Sequence, residues 1–143
     1  MYRFLLIVLM TAPIFGEIPN AILAEHDLQK RSDLALQEAD EQITEASKAY
    51  SPNSGELKEF EKHLAAVGEL AELSLKSLQD SGKRARKQPK YFKRAELKLR
   101  SLLRRLDTLE KNVLVDDRPP VAKAKGLLAK VHDQILQDIM SKR

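Results

Sequence analysis

The chain has 143 residues, 43% hydrophobic and 32% charged, with a formal net charge of +4. That length suits one domain, and the mix is neither that of a disordered chain nor that of a multi-span membrane protein. The absence of cysteine excludes a disulfide framework, a thiolate metal site and a cysteine nucleophile, and with only 5 glycines and 6 prolines turn formers are too few for many hairpins, so an all-α class is expected.

The first segment has the three-part layout of a secretory signal peptide. Arg3 and the amino terminus supply positive charge, Phe4 to Phe15 form an apolar run of 12 residues, and Gly16 to Ala24 is more polar. Ala21-Ile22-Leu23-Ala24 ends on a small residue, which predicts cleavage after Ala24. Ile22 at the −3 position is bulkier than usual there. The apolar run is short against the roughly 20 residues of a spanning helix, so a cleaved signal peptide (1–24) is expected rather than an anchor. A lipidated N-terminus would need a cysteine. The mature domain would be 25–143, periplasmic or secreted, and would keep the charge of +4 because Arg3 and Glu17 leave together.

Four segments of the mature chain carry helical periodicity. The first, about Glu25 to Tyr50, places Leu28, Ala35, Ala39, Ile43, Ala46 and Tyr50 on one stripe, and Ser51 to Gly55 breaks it. The second opens with Asn53 and Glu56 in a capping-box arrangement. Leu57, Phe60, Leu64, Val67, Ala71, Leu75 and Leu78 follow, and Gly82 stands where a left-handed C-terminal cap is expected. The third begins near Pro89, a residue tolerated in a first turn. Its Phe92, Ala95, Leu99, Leu102, Leu106, Leu109 and Val113 repeat at alternating spacings of three and four, a strict coiled-coil seam. Asp116 and Asp117 are placed to cap the fourth segment, with Pro119 and Pro120 in its first turn. That segment carries Val121, Ala124, Leu128, Val131, Ile135 and Ile139. The architecture expected is an up-down-up-down four-helix bundle. A flatter three-helix arrangement, or a long hairpin that dimerises to complete its core, remains open because an a/d seam is narrow.

Charge is unevenly spread. Residues 25–50 sum to −4, 51–80 to −3, 81–105 to +10 and 106–143 to +1. The densest part of the basic block is Lys83, Arg84, Arg86, Lys87, Lys90, Lys93 and Arg94, around the connection between the second and third helices. In one reading the basic flanks of the third helix face Glu61, Glu69 and Glu72 of the second and the rest is solvated. In the other, the cluster docks an anionic partner: anionic lipid, an envelope polymer or an acidic protein. Nucleic acid is not expected, because Tyr91 and Phe92 are the only aromatics there and Phe92 is on the seam, which leaves no stacking platform.

No catalytic constellation emerges. His26, His63 and His132 fall on three helices, but at about 1.5 Å per residue they sit at different levels of the bundle, so no metal site is expected. Asp40-Glu41 are neighbours on one helix and point apart. The nearest approach to a di-iron Glu-x-x-His pair, Glu59 to His63, has the wrong offset. No phosphate loop, serine elbow or zincin helix occurs, and no cofactor is expected.

Two stretches, Ala24-Glu-His-Asp-Leu-Gln-Lys-Arg-Ser32 and Arg84-Ala-Arg-Lys-Gln-Pro-Lys-Tyr-Phe-Lys-Arg-Ala-Glu-Leu-Lys-Leu-Arg100, carry a resemblance to a group of small exported bacterial helical proteins without an assigned activity. The resemblance extends over nearly the whole mature chain. It implies no catalytic residues, and implies that the basic stretch is shared by the group. The expected function is that of an exported non-enzymatic interaction module, with a self-assembling structural protein as the alternative.

Overall fold

The computed structural model describes residues 18–52 and 57–141; the apolar run Phe4–Phe15 and the Asn53/Glu56 capping pair lie outside the described residues. Four long helices dominate: α1 (Leu28–Ala49), α2 (Lys58–Asp80), α3 (Pro89–Asn112) and α4 (Pro119–Met140). A single helical turn, Asn20–Leu23, precedes α1, and a 3-10 turn, Val115–Asp117, precedes α4. The described residues contain no strand.

Local chemistry sets several of the boundaries. The Asp27 carboxylate accepts hydrogen bonds from the Gln29 and Lys30 amides at 3.1 and 3.2 Å, which caps α1. Gly82 follows α2 with φ of 75°, a left-handed conformation that favours glycine. Proline opens both α3 and α4, where its missing N–H costs no helical bond. The expected aspartate cap of α4 is not made. The residue before the helix is Arg118, without a side-chain cap, and Asp117 instead accepts a hydrogen bond from the Tyr50 hydroxyl at 2.7 Å. The same Tyr50 oxygen accepts one from the Leu114 amide at 2.9 Å, tying the α1 end to the α3–α4 connection.

The lateral order of the helices is not that of four successive neighbours. α1 packs on α2 and α3, and α4 packs on α2 and α3. α2 and α3 touch only slightly, across the diagonal, and α1 and α4 make no contact among the described residues. Cross-helix pairs give the directions. Ser32 with Ser74 and Gln42 with His63 make α1 and α2 antiparallel, while Arg94 with Asp33 and Arg105 with Asp40 make α1 and α3 parallel. Lys125 with Glu110 and His132 with Glu96 make α3 and α4 antiparallel. The α2–α3 connection therefore crosses the end of the bundle diagonally.

The core follows from these contacts. Every member of the α3 seam from Phe92 to Val113 is buried. On α1, Ser32, Ala35, Ala39 and Ala46 present short side chains, which suits its extensive contact with α2. Helix α2 buries a second stripe that its seam pattern omits, including Ala66, Leu70, Ser74 and Ser77, because it packs against both α1 and α4. The end of the Leu127 side chain fills the space beside Gly68, where a Cβ would meet its Cδ1 at 2.5 Å and make that side chain shift. Before α1, the segment 18–24 lies against the bundle with Ile22 buried, and the Arg31 guanidinium donates to the Leu23 and Glu25 carbonyls at 2.9 and 3.1 Å.

Candidate anion-docking site

The α2–α3 connection, Ser81 to Gln88, is held at both ends and in its middle. The Ser81 hydroxyl donates to the Leu78 carbonyl at 2.6 Å and accepts from the Lys83 amide at 3.2 Å. The Lys87 and Gln88 amides both donate to the Arg84 carbonyl, closing a turn. Between them Ala85 is buried as part of the core. A linker that crosses the bundle end must cover the core beneath it, and the one apolar residue in this stretch does so. Arg84, Arg86 and Lys87, which flank it, are exposed, and Lys83 is half-buried.

Helix α3 then continues the basic block. Lys90 Nζ lies 5.0 Å and the Arg94 guanidinium 5.7 Å from the centre of the Tyr91 ring, cation–π distances that orient both. Arg94 also pairs with Asp33 of α1 at 3.0 Å. Among the described residues, Lys83, Arg84, Lys87, Lys90 and Lys93 have no carboxylate at ion-pairing distance. The structure thus gathers the seven sequence-predicted cations at one end of the bundle and, within them, ties Arg94 to the fold.

Further along α3, Lys98, Arg100 and Arg105 are spent on structure, whereas Arg104 has no ion-pair partner among the described residues. Lys98 and Arg105 both reach Asp40, at 3.1 and 2.6 Å, and Arg105 also donates to the Asp40 carbonyl and to Thr44. Burial pushes the Asp40 carboxyl up, but hydrogen bonds from Arg105 and Lys98 outweigh it and hold the group below its ordinary 3.8. These cations therefore face α1. The reading that places them against Glu61, Glu69 and Glu72 is corrected by the diagonal relation of α2 and α3.

One buried charged centre lies off the seam pattern. Glu96 is 6% exposed. It accepts three hydrogen bonds from Arg100, at 2.8 to 3.0 Å, and one from His132 Nε2 at 2.8 Å, which therefore carries the proton. Burial raises the Glu96 carboxyl, but His132 and Arg100 together outweigh it and leave the group below its ordinary 4.5. The available signal was positional: Glu96 follows Ala95 and His132 follows Val131, so both flank the seam where facing helices exchange polar pairs. His63 is likewise absorbed locally, donating from Nδ1 to the Gln42 amide oxygen at 2.6 Å. No group of three metal-ligating side chains occurs among the described residues, and none of their helices is long and apolar enough to cross a membrane.

What this arrangement offers chemically is a cationic surface carried on a connection whose backbone is held to the bundle. Compared with protein-family models, curated proteins and solved structures, the chain has no match.

Proposed function

We propose that the protein is an exported, non-enzymatic up-down-up-down bundle that docks an anionic partner of the cell envelope through its basic α2–α3 end. One observation carries this reading. Lys83, Arg84, Lys87, Lys90 and Lys93 stand at the bundle end without carboxylate partners among the described residues, whereas Arg94, Lys98, Arg100 and Arg105 of the same basic block are each matched. Unmatched like charges repel one another and cost stability. Packing does not call for them, since Ala85 and the seam cover the core. Near an anionic surface each basic residue contributes about 1 kcal/mol, decaying over a Debye length. Tyr91 already has Lys90 and Arg94 at cation–π distance and Phe92 is buried, so the cluster lacks the series of free rings that base stacking uses, which disfavours nucleic acid.

The test is co-sedimentation of the protein with anionic and with neutral vesicles at low and high salt. Binding is expected only to the anionic vesicles, weakened by salt and lost when Lys83, Arg84, Arg86 and Lys87 are changed to Gln. Equal binding by wild type and variant, or no effect of salt, overturns the reading.

The export half rests on the layout of residues 1–24. A cut after Ala24 removes Ile22 from the core but leaves Arg31 its bond to Glu25. Mass spectrometry of the exported product should find an N-terminus at Glu25; only intact protein beginning at Met1 in the membrane fraction would refute it. The alternative of a structural protein completing its core by dimerisation draws on the α3 seam. Leu99, Leu102 and Leu106 are buried within one chain, so the docking reading is preferred.

A further inference from the structure

The diagonal crossing leaves a second set of charges unmatched, of opposite sign and at the opposite end. Between α2 and α4 lies a groove of about 690 Å³. Leu64, Ala124 and Leu127 are among its apolar lining residues, and Glu61, Glu69, Glu72 and Asp116 stand around it. None of these four acids is ion-paired among the described residues, and Lys123 is the one cation among the groove's described lining residues. Burial, and then the neighbouring charge of Glu72, raise the Glu69 carboxyl above its ordinary value. The cations of α3 that would have neutralised this face are turned toward Asp33 and Asp40 of α1 instead.

The groove lies toward the α3–α4 connection, because Leu57 lines it just before α2, its α2 members run from Glu61 to Glu72 and its α4 members from Pro119 to Leu127. The basic end is at the other pole. From Glu72, the groove acid nearest the basic end, to the last residue of α2, Asp80, is about 12 Å of helix, beyond the Debye length of about 8 Å at physiological salt. The two charged regions cannot pair within one molecule. Between two molecules they can.

We propose that the α2–α4 groove receives the Lys83–Lys93 end of a second copy of this chain. The proposal rests on the anion-docking reading and names its partner. Charge complementarity selects the occupant: a cationic knob with Ala85 tucked under it, whose Lys and Arg side chains lay their aliphatic stems on an apolar floor while their charged heads meet the acidic rim. The two surfaces differ, so the contact is head-to-tail and repeats without closing. Exposed ion pairs are individually weak and screened by salt, so the association is concentration-dependent and salt-sensitive.

Sedimentation velocity of the purified protein over a concentration series, at low and high salt, tests it. One variant carries Glu61→Lys, Glu72→Lys and Asp116→Lys; the other carries Arg84→Glu, Arg86→Glu, Lys87→Glu, Lys90→Glu and Lys93→Glu, which leaves two cations against five acids and makes the end acidic. All of these positions are exposed, and circular dichroism checks that helix content is kept. Should either reversal lose helix, the Gln substitutions at the same positions replace it, with the same loss of association expected. The sedimentation coefficient of the wild type should rise with concentration at low salt and return to the monomer value at high salt. Each charge reversal alone should sediment as a monomer. The equimolar mixture of the two reversals should associate again, because a basic groove then meets an acidic end and an acidic groove a basic end. A wild type that stays monomeric, reversals that associate like wild type, or a mixture that stays monomeric would each overturn the proposal. A monomeric wild type that still binds anionic vesicles removes this inference and leaves the docking reading in place; loss of vesicle binding as well removes both.

Discussion

The α1–α3 face and the α2–α3 connection draw on the same block of basic residues, yet they use charge in opposite ways. On the face, Asp40 is shared by Lys98 and Arg105, and Asp33 takes Arg94. At the connection, cations gather around a buried alanine with no acid among them. The difference comes from lateral order. α3 lies beside α1, whose Asp33 and Asp40 are in register with it, and diagonal to α2, whose Glu61, Glu69 and Glu72 are out of its reach. Charge density along a sequence therefore does not tell a structural cation from a free one; the neighbouring helix decides.

The largest effect expected on this contrast is a control on the core beneath both regions. Leu102 is wholly buried at the centre of the α3 seam, and Leu102→Ala should lower stability by about 2–5 kcal/mol through lost transfer energy and a residual cavity. Denaturant midpoints at an unchanged slope measure it. A cost below 1 kcal/mol, about that of an ordinary surface change, would mean that the seam is not the core.

Next comes Arg100, which separates the paired region from the free one. By spacing alone it is an off-seam residue whose loss should cost within about 0.5 kcal/mol. The structure changes that expectation, because Arg100 is a main partner of the buried Glu96. Arg100→Ala should cost about 1–2 kcal/mol, the value of charged hydrogen bonds discounted for the exposure of the guanidinium. Arg104→Ala, with no ion-pair partner among the described residues, should stay near zero. The effect is also pH-dependent. Glu96 titrates below its ordinary 4.5 in the fold, so its contribution is present above that pH and is lost as pH falls through the folded value. Without Arg100, burial is opposed by His132 alone, the folded value rises, and acid unfolding should begin at a higher pH than in wild type. Acid-unfolding curves that superimpose would show that Arg100 does not hold Glu96.

Much of the fold was legible because helix periodicity depends on apolar spacing that a sequence displays directly. The α3 seam, the prolines of α3 and α4 and the Gly82 cap all follow from local chemistry. The second buried stripe of α2 was not legible: Ala66, Ser74 and Ser77 do not stand out as core residues until a helix is known to lie on two sides of them. The role of Asp117 is hidden for a related reason. An aspartate before Pro-Pro resembles a cap, and only the tertiary contact shows Tyr50 taking its oxygen. At the candidate site the sequence located the seven cations but not the division among them, since Asp33, the partner of Arg94, lies 61 residues away.

The smallest expected change in stability is the sharpest test of that division. If Lys83, Arg84, Lys87 and Lys93 are structurally free, changing all four to Gln removes mutual repulsion and breaks no ion pair among the described residues. Thermal stability should then stay within about 0.5 kcal/mol of wild type. Any change should be toward greater stability at low salt and should fade at high salt, where the repulsion is already screened. Arg105→Gln gives the opposite sign, because it withdraws a donor from Asp40 and Thr44. Melting curves of both variants at two salt concentrations make the comparison. Parallel losses of stability would mean that the end cations fasten the connection to the bundle, and the argument for an external anionic partner would lose its main support. Opposite signs would leave these cations with no structural task and make their binding behaviour the property to explain.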